Sequence, residues 1–381
     1  MLIRLNELMK GRLGPKEELE VLDIFDSLTE IELNTAIVSL SLTRLLSQMD
    51  DHWIGLKNRQ RLLEILTIER LGVLTLESKS KLLSAFQKGW TPKGQEEAIC
   101  RIFVSTSGNE LDVLKSKMES GVAFEDLHNL IYHDIDDKGI REKILAHFKA
   151  NTPTKASLKI LSDIDDTIYA NWKDEKYRKK TPYPGMVQLL KRLNQSDDGG
   201  SRSDLVFITA RPKEPTKIAV RHAEKTLRRL GFSKPIILPG RLHQFFTSST
   251  ILERKWKNFM EYKRLYPNHP FIFFGDSGQG DADLAVRMLK KKGIVLALIH
   301  RIHPYRSQKW EDSRSIDGMF FFNNAIEAME KLRTDGFLDN RVFKVLTKIA
   351  LDEAAEIPGR RGSKRLKEHQ ASYEKVHRTK K

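Results

Sequence analysis

The chain of 381 residues contains a single cysteine, Cys100. One cysteine cannot form a disulfide within the chain, which excludes a small secreted domain held together by disulfides. No apolar run approaches the roughly 18 residues that a transmembrane helix needs. The first residues, Met1 to Arg4, pass quickly into charged sequence and do not resemble the apolar core of a signal peptide. We therefore predict a cytoplasmic protein without a signal peptide or a transmembrane segment.

Acidic residues are too few to balance the basic ones in the second part of the chain. Residues 1–150 carry a net charge of −4, whereas residues 151–381 carry +19, giving +15 in total. The segment from Gly359 to Lys381 is mostly basic with few apolar residues, which predicts a flexible tail. Such a tail could be drawn to an anionic membrane surface or to nucleic acid, or could simply keep the protein soluble.

Apolar residues recur at helical spacing through the first 150 residues, as in Leu19-Val21-Leu22-Ile24-Phe25 and Leu111-Leu114-Met118. This pattern predicts an all-α domain over residues 1–150. Its role stays open between partner binding, substrate gating and oligomerisation, and its protein partner is unknown. Cys100 lies in such an apolar pattern and is predicted to be buried.

From Asn151 onward, short apolar strands alternate with helical segments. Strands are predicted near residues 158–163, 204–209, 235–238, 271–275 and 294–298, which indicates an α/β fold with a parallel sheet covered by helices. We predict a catalytic domain over residues 151–345 and a helical, then basic tail over residues 346–381. Residues 170–182 are too few for a large cap and should form a flap.

The most informative stretch is Ile160-Leu161-Ser162-Asp163-Ile164-Asp165-Asp166-Thr167-Ile168. An apolar strand leads here into two carboxylates, at the edge where open α/β sheets carry their active sites. Residues at i and i+2 of a strand point to opposite faces, so Asp163 and Asp165 can converge only if the strand ends between them. Such a pair suits Mg²⁺-assisted phosphoryl transfer, with one carboxylate attacking phosphorus and the other handling protons.

The same letters occur once more, as Asp134-Ile135-Asp136-Asp137. This copy follows a helical pattern, continues into Lys138-Gly139 and has no threonine. Asp136 or Asp137 is better explained as the N-cap of a helix starting near Ile140. The Asp-Ile-Asp-Asp motif alone therefore does not define a site. Polar residues later in the sequence have to support the assignment.

Three further polar elements follow in a fixed order. Thr209 ends the apolar run Leu205-Val206-Phe207-Ile208 and can hold a phosphate oxygen. Lys255 lies on an amphipathic segment and can supply a fixed positive charge. Asp276 and Asp281 follow the apolar run 271–274 within a glycine-rich turn, Gly275-Asp276-Ser277-Gly278-Gln279-Gly280-Asp281.

This set of motifs resembles the haloacid dehalogenase superfamily, whose fold is a Rossmann-like parallel sheet, here with a minimal cap. More narrowly, the sequence resembles the catalytic domain of actin-patch-type phosphatidate phosphatases over roughly residues 155–340. The features that carry this resemblance are SDIDDTI at 162–168, YPGM at 183–186, the spacing from Lys255 to Pro267, GDSGQGD at 275–281 and the segment around Phe320-Phe321-Phe322-Asn323-Asn324.

The resemblance implies roles for individual residues. Asp163 would be the nucleophile that forms an aspartyl-phosphate, and Asp165 the general acid and base. Thr209 would bind the phosphoryl group and Lys255 would offset negative charge. The residues implied to bind substrate or Mg²⁺ are Thr167 and Arg211 for the substrate and Asp163, Asp165 (through its carbonyl), Asp276 and Asp281 for the metal. Asp281 would orient Lys255 or the metal's surroundings, and Asp166 is a turn or N-cap residue.

Several alternatives stay open at the level of the sequence. Lys257 lies two residues from Lys255 and could take its place. The Ile208-Thr209-Ala210-Arg211-Pro212 motif departs from the small-residue turn of the family, so Arg211 could reach a second anionic group or form a surface ion pair.

Three functions compete. The favoured one is a phosphatase acting on phosphatidate at a membrane surface, to which the basic region attaches it peripherally. The others are a phosphatase acting on polynucleotide ends or nucleotides, and a binding module without catalysis.

Overall fold

The computed structural model describes residues 1–49, 57–87, 91–119, 125–195, 204–212, 218–240, 248–278 and 280–378. Contacts between residues divide the chain into two compact units. The first contains Met1–Ala156 together with Arg264–Asn268, and the second contains Ser157–Lys263 and His269–Lys381. The domain boundaries that we predicted at residues 150 and 345 stay predictions.

The first unit is helical in its described residues, as predicted. Two π-helical segments (Ile65–Glu69 and Leu130–Asp134) and a 3₁₀ turn (Leu71–Val73) interrupt its helices. The helices are α1 (Leu2–Leu8), α2 (Pro15–Ser27), α3 (Glu30–Ser39), α4 (Leu42–Gln48), α5 (Asn58–Glu64), α6 (Leu76–Gln87), α7 (Lys93–Val104), α8 (Gly108–Lys117), α9 (Leu127–Asn129) and α10 (Lys138–Ala150).

The core and the caps of this unit follow from its sequence pattern. Phe103 and Phe148 are fully buried and meet edge to face with ring centroids 5.2 Å apart. Cys100 is buried, as predicted. Asp137 caps α10 by accepting hydrogen bonds from the backbone N–H groups of Gly139 and Ile140, at 2.7 and 3.1 Å. The second Asp-Ile-Asp-Asp copy therefore begins a helix, which confirms the N-cap interpretation.

The second unit contains a six-stranded parallel sheet, which confirms the predicted α/β fold class. Its strand order is β3-β2-β1-β4-β5-β6. The strands are β1 (Lys159–Ser162), β2 (Leu205–Pro212), β3 (Ile236–Gly240), β4 (Phe271–Asp276), β5 (Leu296–His300) and β6 (Met319–Phe322). Five of these were predicted from the sequence, and β6 was not predicted as a strand.

The strand order determines where a site can form. The chain builds outward from β1 through β2 to β3, then returns to the other side of β1 to add β4, β5 and β6. The direction of winding therefore reverses between β1 and β4. In open α/β sheets the crevice beyond the carboxyl ends of the strands at this switch point is where ligands bind.

Buried apolar side chains and one ion pair hold the central strands in register. The central strands β1 and β4 are buried along their whole length, as expected for parallel strands covered on both faces. Near the amino end of β1, Lys159 Nζ lies 2.6 Å from Asp204 Oδ1, and both side chains are almost fully buried. A mispaired register would leave both charges buried alone, so the pair opposes such a slip.

Helices connect the strands and continue after β6. They are α11 (Met186–Leu193), α12 (Ile218–Arg229), α13 (Ser248–Leu265), α14 (Asp281–Lys290), α15 (Gln308–Asp312), α16 (Ala325–Thr334), α17 (Asn340–Ala355) and α18 (Gly359–Arg378). No helix in the described part of the chain is long and apolar enough to cross a membrane.

The end of the described chain differs from the flexible tail that the sequence indicated. Residues 359–378 form α18, whose buried positions include Arg365, His369 and Ser372. Ser372 Oγ accepts a hydrogen bond of 2.8 Å from the Asn324 side chain. The inner face of α18 is thus largely polar, which explains why a search for apolar periodicity did not find it.

Candidate active site

The site begins where β1 ends. Ser162 is the last residue of the strand and pairs with Phe207 of β2 and Phe274 of β4. Asp163 follows immediately, and its backbone N–H donates a 2.9 Å hydrogen bond to the carbonyl of Phe274. Its carboxylate is therefore held at the carboxyl end of β1, beside β4, at the switch point of the sheet.

Beyond Asp163 the chain leaves the strand. A break at this point was expected, because Asp163 and Asp165 would otherwise point to opposite faces of the sheet. Asp166 has a φ of 58°, in the left-handed region that aspartate tolerates better than most residues. Its carboxylate accepts backbone N–H groups of Asn171, Trp172 and Lys173 at 2.7 to 3.2 Å. Asp166 is thus a turn residue, as interpreted from the sequence.

This turn places the second acid. The Asn171 side-chain amide donates a 2.7 Å hydrogen bond to Asp165 Oδ1. Asp165 is buried apart from 8% of its surface. The base of the flap therefore orients the carboxylate that was predicted to transfer protons.

Lys255, near the middle of α13, joins two carboxylates. Its Nζ lies 2.7 Å from Asp163 Oδ1 and 2.6 Å from Asp281 Oδ1. Lys257 instead keeps 60% of its side chain exposed and lies 3.7 Å from Glu261. Of the two lysines that the sequence left open, the structure brings Lys255 into the cluster.

The glycine-rich turn after β4 brings the last two acids together. Asp276 ends β4, and Asp281 begins α14, preceded by Gly280 with a φ of 92°. A Cβ at Gly275 would lie 2.7 Å from the Cβ of Asp281, so only glycine permits this approach. The backbone N–H of Asp276 points to Asp281 Oδ2 at 3.4 Å.

Asp163, Asp276 and Asp281 form a buried group whose ligand atoms lie within 4.8 Å of one another. Asp276 Oδ1 accepts a 2.5 Å hydrogen bond from the Gly278 N–H, while its Oδ2 is buried without a hydrogen-bond partner among the described residues. An orphaned carboxylate oxygen in an all-oxygen cluster fits a hard divalent cation such as Mg²⁺. The carboxylate of Asp165 is not part of this group.

The electrostatics of the cluster favour additional positive charge. Burial raises the pKa of Asp163 to about 7, against the attraction of Lys255. Burial, with the charges of Asp281 and Asp163, also raises the pKa of Asp276 well above its ordinary value. For Lys255, burial acts to lower the pKa, but the charges of Asp163 and Asp281 outweigh it and raise the pKa. One lysine thus stays charged beside more carboxylate than it can neutralise.

The remaining predicted residues are Thr209, Thr167 and Arg211. Thr209 is buried in β2, two residues beyond the position paired with Ser162, and so lies at the same edge of the sheet. Thr167 is fully buried and its hydroxyl has no hydrogen-bond partner among the described residues. The backbone of Arg211 belongs to β2, but its side chain lies outside the described part of the chain.

Two residues of the site were not found from the sequence. Asn171 binds Asp165, and its only signal was its position in the flap. His300 is buried at the end of β5, and its Nδ1–H donates a 3.0 Å hydrogen bond to the carbonyl of Asp166. Burial lowers the pKa of His300, which keeps the ring neutral. The pairing of Asp276 with His300 across β4 and β5, which a single sequence does not reveal, brings this residue to the site.

The fold and the site together define an α/β protein with a lysine-bridged carboxylate cluster at the switch point of its sheet. Residues 158–300 match the family model for the catalytic domain of phosphatidate phosphatase APP1. The matched segment contains Asp163, Asp165, Thr209, Lys255 and the acidic pair. It confirms the resemblance to phosphatidate phosphatases and supports a phosphatase hydrolase of that type. Searches among curated proteins and among solved structures found no match.

Proposed function

We propose that the second unit is a Mg²⁺-dependent phosphatase of the haloacid dehalogenase superfamily, which converts phosphatidate to diacylglycerol through an aspartyl-phosphate. One observation carries the proposal: Lys255 bridges Asp163 and Asp281 next to the orphaned oxygen of Asp276. This arrangement lies in the segment that matches the phosphatidate phosphatase model.

Asp163 is the nucleophile in this proposal. Its carboxylate oxygen forms a bond to phosphorus while the bond from phosphorus to the lipid oxygen breaks, and Asp165 donates a proton to that oxygen. Asp165 then removes a proton from water, which attacks the same phosphorus. The bond between phosphorus and Asp163 breaks, releasing inorganic phosphate and restoring the carboxylate.

The surrounding residues position the nucleophile and favour its ionised form against the effect of burial. Lys255 balances the charge of Asp163, and Asp281 holds Lys255 in place through a 2.6 Å contact. Asp163 and Asp276, with the carbonyl of Asp165, would hold Mg²⁺, and Asp281 would lie beside it. A bound Mg²⁺ would neutralise charge on the phosphoryl oxygens.

The other predicted residues would recognise the substrate. Thr209 and Thr167 would donate hydroxyl hydrogen bonds near the phosphoryl group, and Arg211 would bind a second anionic group. The lipid substrate is favoured by the family match, and the charge of +19 over residues 151–381 would draw the protein peripherally to an anionic surface.

The test is Mg²⁺-dependent phosphate release from dioleoyl phosphatidate in mixed micelles, run beside a 3′-phosphorylated oligonucleotide and an aryl phosphate. Asp163→Asn should abolish release. Asp136→Asn, at the exposed aspartate of the second Asp-Ile-Asp-Asp copy, is the matched control and should retain it. Phosphate release from the oligonucleotide alone would support the phosphatase mechanism but refute phosphatidate as the substrate. No release from any of the three substrates would refute the proposed function.

A further inference from the structure

A cavity of about 690 Å³ lies in the second unit, and none of Asp163, Lys255, Asp276 or Asp281 lines it. Its walls come from the second half of the flap and Pro184 just after it, the start of α11, the end of α12 and the junction of α17 with α18. The volume lies within the range of about 300–1,000 Å³ that is common for small-molecule sites. The size of this cavity therefore permits a ligand of its own.

Basic side chains dominate the charged part of the wall. Two glutamates, Glu353 and Glu356, also line the cavity, and Glu353 accepts a 2.7 Å hydrogen bond from the N–H of Gly185. The basic residues of the wall are Lys176, Arg178, Arg229, Arg361 and Arg365. A third carboxylate, Glu368, lies 2.7 Å from both Lys176 and Arg365. Five cations face three carboxylates, so the cavity keeps a net positive charge that favours an anion.

Arg365 provides the most specific feature of the wall. Only 6% of this residue is exposed, and its Nη1 lies 2.7 Å from Glu368 Oε2. Its Nε is buried without a hydrogen-bond partner among the described residues. The guanidinium also lies 5.5 Å from the centre of the Tyr177 ring. An unsatisfied donor on a buried cation is costly, and an anionic acceptor in the cavity would relieve that cost.

The start of α18 adds further positive potential. This helix runs for 20 residues and has no acidic residue in its first turn. The dipole of the helix favours an anion at the end where Arg361 joins the cavity wall. Planar guanidinium groups suit phosphate because they can donate two hydrogen bonds to it at once.

Apart from Thr181 and Gln188, the rest of the wall is apolar. It is formed by Tyr177, Pro182, Pro184, Val187, Leu230 and Ile357, among others. A free inorganic anion would leave this surface uncovered. A ligand that joins a phosphate to an apolar part would use both kinds of wall.

We propose that this cavity is a second binding site, distinct from the catalytic cluster, for a phosphorylated amphiphile such as a lipid with a phosphate headgroup. The phosphate contacts Arg229, Arg361 and Arg365, and the apolar part lies against Tyr177 and Leu230. The site goes beyond the proposed catalytic function and does not depend on it. Its ligand would join the flap, which holds Asp165 through Asn171, to the start of α18.

Hydrogen–deuterium exchange of the full chain carrying Asp163→Asn, which cannot turn the lipid over, tests the site. The probe is short-chain dihexanoyl phosphatidate below its micelle concentration, with inorganic phosphate and dihexanoylglycerol for comparison. Bound lipid should protect residues 176–181 and 359–365. Protection confined to the ends of β1, β2 and β4 would overturn the proposal, because the lipid would then occupy the catalytic cluster alone.

Matched charge variants sharpen the test. Arg229→Gln with Arg361→Gln should weaken lipid binding about tenfold or more and remove the protection. Lys225→Gln with Arg360→Gln removes the same charge from exposed positions of the same helices that do not line the cavity, and should leave binding unchanged. Equal loss in both pairs would overturn the proposal in favour of general charge attraction. If inorganic phosphate bound as tightly as dihexanoyl phosphatidate, the proposal that the ligand is an amphiphile would be overturned.

The catalytic proposal can fail separately. With Asp163 intact, the Arg229→Gln and Arg361→Gln pair should hydrolyse the aryl phosphate at the rate of the unaltered chain. Lipid binding is measured in the Asp163→Asn chain, which does not hydrolyse the lipid. A protein that lacks phosphatase activity would therefore still show binding at the second site. Lost aryl phosphate hydrolysis in this pair alone would place these arginines in the catalytic machinery and overturn their assignment to a separate site.

Discussion

A single lysine side chain, Lys255, stabilises the buried acidic cluster. Lys255 is buried between Asp163 and Asp281, so it offsets part of the repulsion among three carboxylates that have little solvent around them. Lys257 is two residues away on the same helix, which is about 200° around the axis, and points into solvent. Only one of the two lysines can therefore serve the site.

Replacing Lys255 with methionine should destabilise the protein by about 3–5 kcal/mol, because two buried carboxylates lose their partner. Phosphatase activity should fall by at least about 100-fold. Lys257→Met, with the same change in charge and shape on an exposed position, should alter stability by less than about 0.5 kcal/mol. Denaturant unfolding and phosphate release measure both, and equal effects of the two variants would contradict the assignment.

The raised pKa of Asp276 predicts how stability depends on pH. Below its ordinary pKa of 3.8 the carboxyl is protonated in both the folded and the unfolded chain. Above that value the unfolded chain releases the proton while the buried carboxyl keeps it, so the stability of the metal-free protein falls as pH rises. Asp276→Asn removes this titration.

Thermal unfolding in a chelator, measured from pH 5 to pH 8, checks this expectation. The melting temperature of Asp276→Asn should rise relative to that of the unaltered chain as the pH increases. Adding Mg²⁺ near pH 8 should stabilise the unaltered chain and have much less effect on the variant, because the cation favours the ionised carboxylate. A difference that stays constant with pH would contradict the raised pKa.

At the scale of elements, the flap is attached to the turn after β1 through Asp165 and, above all, Asp166. Residues 169–183 close on themselves through backbone hydrogen bonds, including Ala170 N–H to the Thr181 carbonyl at 3.0 Å. Asp166 fixes the start of this segment through three backbone N–H groups, and His300 fixes the carbonyl of Asp166. The position of Asp165 therefore depends on a residue that takes no part in the proposed chemistry.

Asp166→Ala should cost about 2–4 kcal/mol, because alanine loses the acceptors for three N–H groups and is strained at a positive φ. Asp166→Asn should cost less, since asparagine tolerates this conformation and keeps one acceptor oxygen. Hydrogen exchange at Asn171, Trp172 and Lys173 should accelerate in the alanine variant before global unfolding. Unchanged exchange at these amides would contradict the role of Asp166.

At the scale of the whole molecule, charge is distributed unevenly along the chain. The second part of the sequence carries a net +19 and the first part −4. Surface potentials of this kind attract anionic surfaces at long range and are screened by salt over about 10 Å at 0.1 M. Attachment to a lipid surface would therefore be peripheral and reversible.

Sedimentation with lipid vesicles measures this expectation. The full chain should bind vesicles rich in anionic phospholipid and should bind neutral phosphatidylcholine vesicles weakly. Raising the salt from about 0.05 to 0.5 M should release most of the bound protein, because the attraction is screened. Salt-independent binding to both kinds of vesicle would show that apolar contacts, not charge, attach the protein.

Much of the fold and the site was predictable because buried parallel strands leave a strong local signal. The apolar runs before Asp163, Thr209 and Asp276 defined three strands and placed their polar ends at one edge of the sheet. The strand β6 was missed because its apolar run, Met319–Phe322, has only four residues, and no polar candidate residue at its end drew attention to it as a strand. The helix α18 was missed because its buried face carries Arg365, His369 and Ser372 in place of apolar residues.

The sequence by itself determined the fold class, the acidic motifs and their order, since each depends on residues close together in the chain. Only the tertiary structure decided between Lys255 and Lys257 and brought Asn171 and His300 to the turn around Asp166. It also gathered the basic residues of the flap, α12 and α18 around one cavity. For Lys255, His300 and the cavity the physical reason is distance along the chain, because these contacts join separate elements and only the packing of those elements specifies them. Asn171 lies only six residues from Asp165, and there the conformation of the turn decides the contact.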